Sequence, residues 1–347
     1  MSWTGSQVPR LRGWLLWGLV FVSAPVCADD AARQWLAGMT EALAAGNYQG
    51  EFLHMSNGRV EKLRILHRVK DGRISERLVN LSGNGREVVR NDSELQCYLP
   101  DQRRVLVESR TEGGTLLGTL PTFDNRLEAN YRVDLIGRER SVLGRESWIV
   151  AVNPRDQFRF GYRLWIDAQS KMPVRTELCD AQGNVLEQVL FTSLTVGGML
   201  PDAAFHPDVD ATGYTWVKQG ASQLRALADA LPWQLLQLPP GFRVSSSGEQ
   251  RLPGSEGPVT HLVLTDGLAS VSVFIEGPPA PPRQATEGQG RVGTAFAYSR
   301  VVAGHQVTAV GEVPAQTVEY IASGVEPLDT VRAGLGSDRS TALAPRQ

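Results

Sequence analysis

The chain has 347 residues, 42% of them hydrophobic, with 35 glycines and 20 prolines. That is enough apolar material for about two domains, and the glycine and proline content favours a turn-rich, β-weighted fold. The formal net charge of -2 shows no basic excess, which excludes a nucleic-acid binder relying on a basic stripe.

Residues 1–28 have the pattern of an export signal. Arg10 and Arg12 precede an apolar run from Trp14 to Ser23, and Val26-Cys27-Ala28 ends on a small residue. The run is about half of what a bilayer span needs, so the mature chain is expected to start near Asp29, exported and without a membrane span. Removing two arginines and no acid would take the formal charge from -2 to -4. Ala24 and Val26 do not suit a lipid-modified start at Cys27.

Asp30 to Ala45 reads as an amphipathic helix with Ala31, Trp35, Met39 and Leu43 one turn apart, ended by Gly46-Asn47. Strand alternation then runs from Tyr48 to Asp101, punctuated by Asn57-Gly58, Asp71-Gly72, Gly83-Asn84-Gly85 and Asn91-Asp92. These residue types tolerate the positive φ of tight hairpins. Centring hairpins on the first two turns pairs Phe52 with Leu63, Gly50 with Ile65, Tyr48 with His67, His67 with Glu76 and Ile65 with Leu78. Both registers put Phe52, Leu63, Ile65 and Leu78 on one apolar face, and Arg64, Arg68 and Arg77 on the other. Strands near Glu87, Leu95 and Val105 and from Tyr131 to Leu194 bring the run to ten or eleven, which predicts a curled sheet or half-open barrel. Thr111 to Asn130 interrupts it as a candidate lid or inserted helix.

The expected domains are 29–200, a linker at 201–230 with a short helix at Ser222 to Leu231, a smaller sheet domain at 231–325, and a disordered tail at 326–347. The second domain should carry strands at Gly241 to Ser247, Val259 to Thr265, Ala269 to Glu276, Thr294 to Val301 and Gln306 to Gly311. A helix opened by Pro314 follows. Gly277 to Gln284 reads as a stiff proline-rich loop.

Enzyme signatures are missing: no G-x-S-x-G elbow, phosphate loop or H-E-x-x-H occurs. His54, His67, His206, His261 and His305 are scattered, and His67 opposite Glu76 is expected to be a structural contact, so neither catalytic residue, metal nor cofactor is assigned. Cys97 and Cys179 remain after signal removal; they could pair as a disulfide or stay as buried thiols. The apolar face, Phe52, Leu63, Ile65 and Leu78 with Leu95, is either ordinary core or a cavity for an acyl chain. Arg64, Arg68 and Arg77 are candidate contacts for its anionic group, or a solvated face.

The stretch Tyr48 to Asp101 resembles the MucB/RseB family. So do Gly144-Arg145-Glu146 before Trp148, Tyr162 to Trp165 with Asp167, Leu238-Pro239-Pro240-Gly241-Phe242, and Gly304-His305-Gln306-Val307 leading to Gly311-Glu312-Val313-Pro314. The resemblance implies a mainly β, α+β protein with an N-terminal half-open barrel like the carriers LolA and LolB and a smaller C-terminal sheet domain. It also implies a non-enzymatic periplasmic regulator. Such a protein binds the periplasmic domain of a membrane-spanning anti-sigma factor of RseA/MucA type and shields it from site-1 proteolysis. Lipid or lipopolysaccharide releases it, and so an envelope-stress sigma factor is restrained. The alternative is a periplasmic lipoprotein or lipid carrier of LolA type, and a homo-oligomer is left open.

Overall fold

The two hairpin turns carry the positive φ that their residues were chosen for: Asn57 at 51° with Gly58 at 71°, and Asp71 at 53° with Gly72 at 75°. They set the expected registers, with Tyr48 opposite His67, Gly50 opposite Ile65 and Phe52 opposite Leu63. The next hairpin places His67 opposite Glu76 and Ile65 opposite Leu78. The computed structural model describes residues 28–328 except 84, 92, 110–115, 118–124, 220–231, 253–254, 256 and 279–285. Most of the expected lid, the Ser222 to Leu231 helix, most of the proline-rich loop and the tail beyond 328 therefore lie outside the described residues.

Helix α1 spans Ala28–Ala45. The first sheet contains β1 Tyr48–Ser56, β2 Arg59–Lys70, β3 Arg73–Asn80, β4 Glu87–Arg90, β5 Glu94–Leu99, β6 Arg104–Ser109 and β7 Tyr131–Arg140. It continues with β8 Glu146–Pro154, β9 Gly161–Asp167, β10 Pro173–Cys179, β11 Val185–Val196 and β12 Thr215–Gln219. Its twelve strands run β12-β6-β5-β4-β3-β2-β1-β11-β10-β9-β8-β7, antiparallel except for β12 on β6. Residues of β2, β7 and the strands between them pack with α1 in a single core. Laid flat, those seven strands would span about 29 Å at ~4.8 Å per spacing, against a helix roughly 10–12 Å across. The sheet therefore curls around α1, as expected of so many strands.

The face α1 buries is Ala32, Leu36, Met39 and Leu43, not the stripe through Ala31 and Trp35. A strict four-residue spacing drifts around a helix of 3.6 residues per turn, and the true stripe follows i, i+4, i+7, i+11. Trp35 instead lies at the rim of the core, against Trp148 and under the Lys171 ammonium.

Residues 201–219 are not a free linker. A 3-10 turn at Asp202–Phe205 and strand β12 strap them onto the outer face of the sheet. That face alternates arginine with apolar residues, and Leu66, Val89, Tyr98, Val105 and Val107 are covered there by Leu200, Phe205, Val209, Ala211 and Tyr214. The arginine count alone hid those apolar positions.

The second sheet has six strands in the order β14-β15-β16-β19-β18-β17. Its members are β14 Arg243–Gln250, β15 Val259–Thr265, β16 Ser270–Glu276, β17 Gly288–Val292, β18 Ala295–Val302 and β19 His305–Gly311. Helix α2, Ala315–Ser323, follows Pro314 and buries Val318, Ile321 and Ala322 against this sheet. A two-stranded ribbon of β13, Trp233–Leu235, and β20, Val325–Pro327, packs into the same core as α2.

Candidate functional site

The inner face of the first sheet is mostly filled. Phe52 and Ile65 are buried, at 4% and 0% exposure, in the core around α1, and Leu63 and Leu78 pack against it half-buried. Leu95 is separate: it sits on β5 opposite Arg90, half-buried and outside that core. With Val88, Cys97 and Leu106 it forms the less covered part of the inner face, between β4 and β6. Beside Ile65, Leu78 and Val88, and in line with Leu95, runs a polar row of His67, Glu76 and Arg90. The His67 ring stacks on Tyr48 at 4.6 Å and its Nδ1 lies 2.8 Å from the Gly46 carbonyl, so Nδ1–H is the donor. Burial holds the imidazole below its ordinary pKa. Glu76 Oε1 stands 3.8 Å from His67 Nε2, and its carboxylate accepts from Arg90 Nη1 at 2.8 Å and from the Leu116 amide at 2.9 Å. Every partner here anchors backbone or neutralises charge, which is a structural role.

Two of the three arginines read as contacts for an anionic group are already satisfied from within the chain. Arg68 bonds Asp202 Oδ1 at 2.6 Å and the Leu200 carbonyl at 2.8 Å, over the Phe205 ring. Arg77 lies between Glu87 at 2.9 Å and Asp208 at 2.6 Å. Asp202 and Asp208 come from the strap, and Glu87 from β4. Arg64 remains half-exposed beside Glu51, at 2.6 Å.

Cys97 and Cys179 are free thiols, so the disulfide is corrected. From β5 to β10 the sheet order counts six spacings, about 29 Å along the sheet at ~4.8 Å each. A bridge needs Cα atoms within ~7 Å. Burial raises both thiols above their ordinary pKa, which keeps them protonated and unreactive.

The most strongly built polar cluster joins the two sheets. Arg159, in the loop between β8 and β9, has a side chain with no exposed surface, 3.3 Å from Asp266 Oδ2 in the turn between β15 and β16. It also donates to the Pro240 carbonyl, and Asp156 stands 3.3 Å from its Nε. The Tyr131 hydroxyl donates to Asp266 Oδ2 at 2.9 Å, while the Leu268 and Ala269 amides donate to Oδ1 at 2.9 and 2.7 Å. The guanidinium faces the Tyr131 and Phe242 rings. Gly241, at φ 80°, lets this loop press on Asn130, because a Cβ there would fall 2.1 Å from the Asn130 side chain. From α2, Thr317 Oγ1 donates to the Phe158 carbonyl at 2.9 Å and Gln316 Nε2 to that of Gln157 at 2.6 Å. Tyr320 packs on Phe158. Sequence reasoning missed this junction. Its one visible trace was Arg159 set between Phe158 and Phe160, a charge flanked by two aromatic residues.

The chain matches the MucB/RseB N-terminal domain over residues 31–209 and the MucB/RseB C-terminal domain over residues 228–326. It is 33% identical over 319 residues to the sigma factor AlgU regulatory protein MucB of Pseudomonas aeruginosa, covering 90% of this chain and 96% of that one. Against the sigma-E factor regulatory protein RseB of Escherichia coli K12 it is 29% identical over 321 residues, covering 90% and 96%. The solved complex of Pseudomonas aeruginosa MucA/MucB superposes with a TM-score of 0.67 at 30% identity, over 86% of this chain and 99% of that one. With both domain models matched in order and relatives aligned along nearly their whole length, the chain belongs to the MucB/RseB family of non-enzymatic sigma-factor regulatory proteins.

Proposed function

We propose that this chain works in the periplasm by occupancy. It holds the periplasmic domain of a transmembrane anti-sigma factor of RseA/MucA type, shields it from site-1 proteolysis and yields to lipid or lipopolysaccharide. An envelope-stress sigma factor is thereby restrained. The observation that carries this reading is the likeness to MucB solved with MucA, which extends over 86% of the chain and so takes in both sheets. A ligand releases the partner only if it favours the partner-free form, by about 1.4 kcal/mol per tenfold shift. The less covered inner surface at Val88, Leu95, Cys97 and Leu106 is the place where an acyl chain would do so, with Phe52, Leu63, Ile65 and Leu78 as its packed floor.

The test is protection of a purified anti-sigma periplasmic domain from its site-1 protease by the mature chain, with and without lipopolysaccharide. Protection that lipopolysaccharide abolishes is expected. Cleavage at the unprotected rate with folded protein present would refute the reading. Leu95→Asp should blunt the response to lipopolysaccharide and leave protection intact. Charges at Leu63 and Ile65 would not discriminate, since Ile65 is fully buried and its replacement attacks the fold.

A further inference from the structure

Two carboxyl groups from different domains meet on one hydroxyl. Thr294 Oγ1, just before β18, lies 3.2 Å from Glu187 Oε2 on β11 and in still closer contact with Glu312 Oε1, just after β19. A threonine hydroxyl brings a single proton. It can donate to only one of the two carboxylates, so the other must carry a proton of its own or set lone pair against lone pair. Thr294 is buried and the Glu187 side chain is 12% exposed, which leaves little room for water to relieve the contact. On the other side of Glu187, His54 Nε2 stands 3.1 Å from Oε1.

We propose that Glu187, Thr294, Glu312 and His54 form a proton-operated latch between the two domains, closed by acid and loosened by alkali. The docked arrangement takes up a proton that the separated surfaces do not hold, and it resides on Glu312, which leaves the Thr294 hydroxyl to donate to Glu187. His54 belongs to the same domain as Glu187 and tunes the latch through its charge.

Burial pushes the Glu312 carboxyl above its ordinary value, and the Glu187 charge adds to this; the Thr294 hydrogen bond and the His54 charge oppose it without reversing it. His54 is raised, first by its hydrogen bond to Glu187 and against burial, with the charges of Glu187, Glu61 and Glu312 adding. Tyr162 on β9, half-buried near both glutamates, is held above its ordinary range by desolvation first and supplies no charge. Arg59 and Arg291 line the depression of about 430 Å³ that Glu187 borders, and Arg291 Nε is bonded to the Gly293 carbonyl. Groups whose pKa rises on docking favour docking fully below their free values, and the contribution is lost as pH climbs through the raised ones. The window opens above 4.5 for Glu312; His54 is raised first by Glu187 of its own domain, and only the Glu312 charge ties its titration past 6.5 to docking.

The experiment is a carboxyl and imidazole NMR titration of the full mature chain, paired with hydrogen exchange at residues 54–60 and 290–296, corrected for intrinsic pH dependence. Glu312 should titrate above 4.5. Protection on both sides of the latch should fall with rising pH, about tenfold for each unit by which docking raises a pKa. Glu312→Gln supplies a permanent donor and should hold protection high and level. His54→Gln should flatten only the part of the profile above pH 6.5. Titration of Glu312 at or below 4.5, or profiles in both variants that follow the parent chain, would overturn the proposal.

Discussion

Replacing Asp266 by alanine removes the carboxylate facing an Arg159 guanidinium whose side chain has no exposed surface. The same change takes the acceptor from the Tyr131 hydroxyl and from the Leu268 and Ala269 amides. Breaking a buried ion pair from one side costs about 3–5 kcal/mol, because the remaining charge stays unpaired in a site built to exclude water. Arg159→Met combined with Asp266→Ala removes both charges and fills the space with a side chain of comparable length. The double variant should therefore be more stable than Asp266→Ala alone, since a buried pair replaced by apolar groups is often neutral. Urea unfolding of the mature chain measures both. With a slope of about 3 kcal/mol per molar, the single variant moves the midpoint by roughly 1–2 M. The two halves of the chain should also separate into two transitions, as domains released from a common interface do. A loss under ~1 kcal/mol in the single variant, or a double variant that loses the sum of the two singles, would refute the claim that the charge pair holds the junction.

Core and open parts of the inner face should respond differently: Ile65→Ala should cost about 2–5 kcal/mol in thermal denaturation, and Leu95→Ala, from a half-buried position, well under half of that. Equal costs would mean that the acyl-chain surface is misplaced. Reducing agent should leave the melting temperature of the mature chain unchanged, and a thiol reagent should label Cys97 slowly and Cys179 only on unfolding; a drop of several degrees on reduction would reinstate the bridge. His67 is held neutral by burial, so the unfolded chain binds its proton more readily. Stability is then lost as pH falls from the ordinary value of 6.5 towards the depressed one, and a His67→Gln variant that keeps the acid sensitivity of the parent would exclude this origin.

What could be read in advance was whatever rests on local chemistry. Asn57-Gly58 and Asp71-Gly72 demand positive φ at both positions, and a two-residue loop leaves one register, so the pairing of β1, β2 and β3 followed from five or six residues on each side. Asp180 to Asn184 closed the hairpin of β10 and β11 in the same way, with the Asp180 carboxylate accepting the Gln182 and Asn184 amides. Strand β12 escaped notice because its pairing with β6 is parallel and long-range, with no turn to announce it. Strand β17, GQGRV, was passed over because two glycines weaken any strand pattern. The arginine face reads from sequence as a set of anion contacts or a solvated face, since nothing local shows that Asp202 and Asp208, more than a hundred residues later, return to neutralise Arg68 and Arg77. Arg159 and Asp266 are likewise 107 residues apart in the chain. A pair of charges at such a distance leaves no pattern in a single sequence.

The junction bears directly on how a regulator of this kind could be switched. A partner held by surfaces of both sheets is released by a ligand on the first sheet only if the change crosses from one domain to the other, and moving a two-state equilibrium from 1:99 to 99:1 takes about 5.5 kcal/mol of differential binding. Interfaces between domains of one chain ordinarily permit relative motion, which would dissipate that free energy in a loose hinge. Here Arg159 is enclosed by Asp266, Tyr131 and Phe242, and α2 is bonded to the backbone of the 156–160 loop. That loop leads into β9, which pairs with β8 and β10 inside the curled sheet. A disturbance of the inner face would therefore reach the second domain through packed side chains and a buried charge pair. On this argument the Asp266→Ala variant, if it still folds, should protect an anti-sigma domain yet respond poorly to lipopolysaccharide. Release as complete as in the parent chain would show that the signal does not pass through the junction.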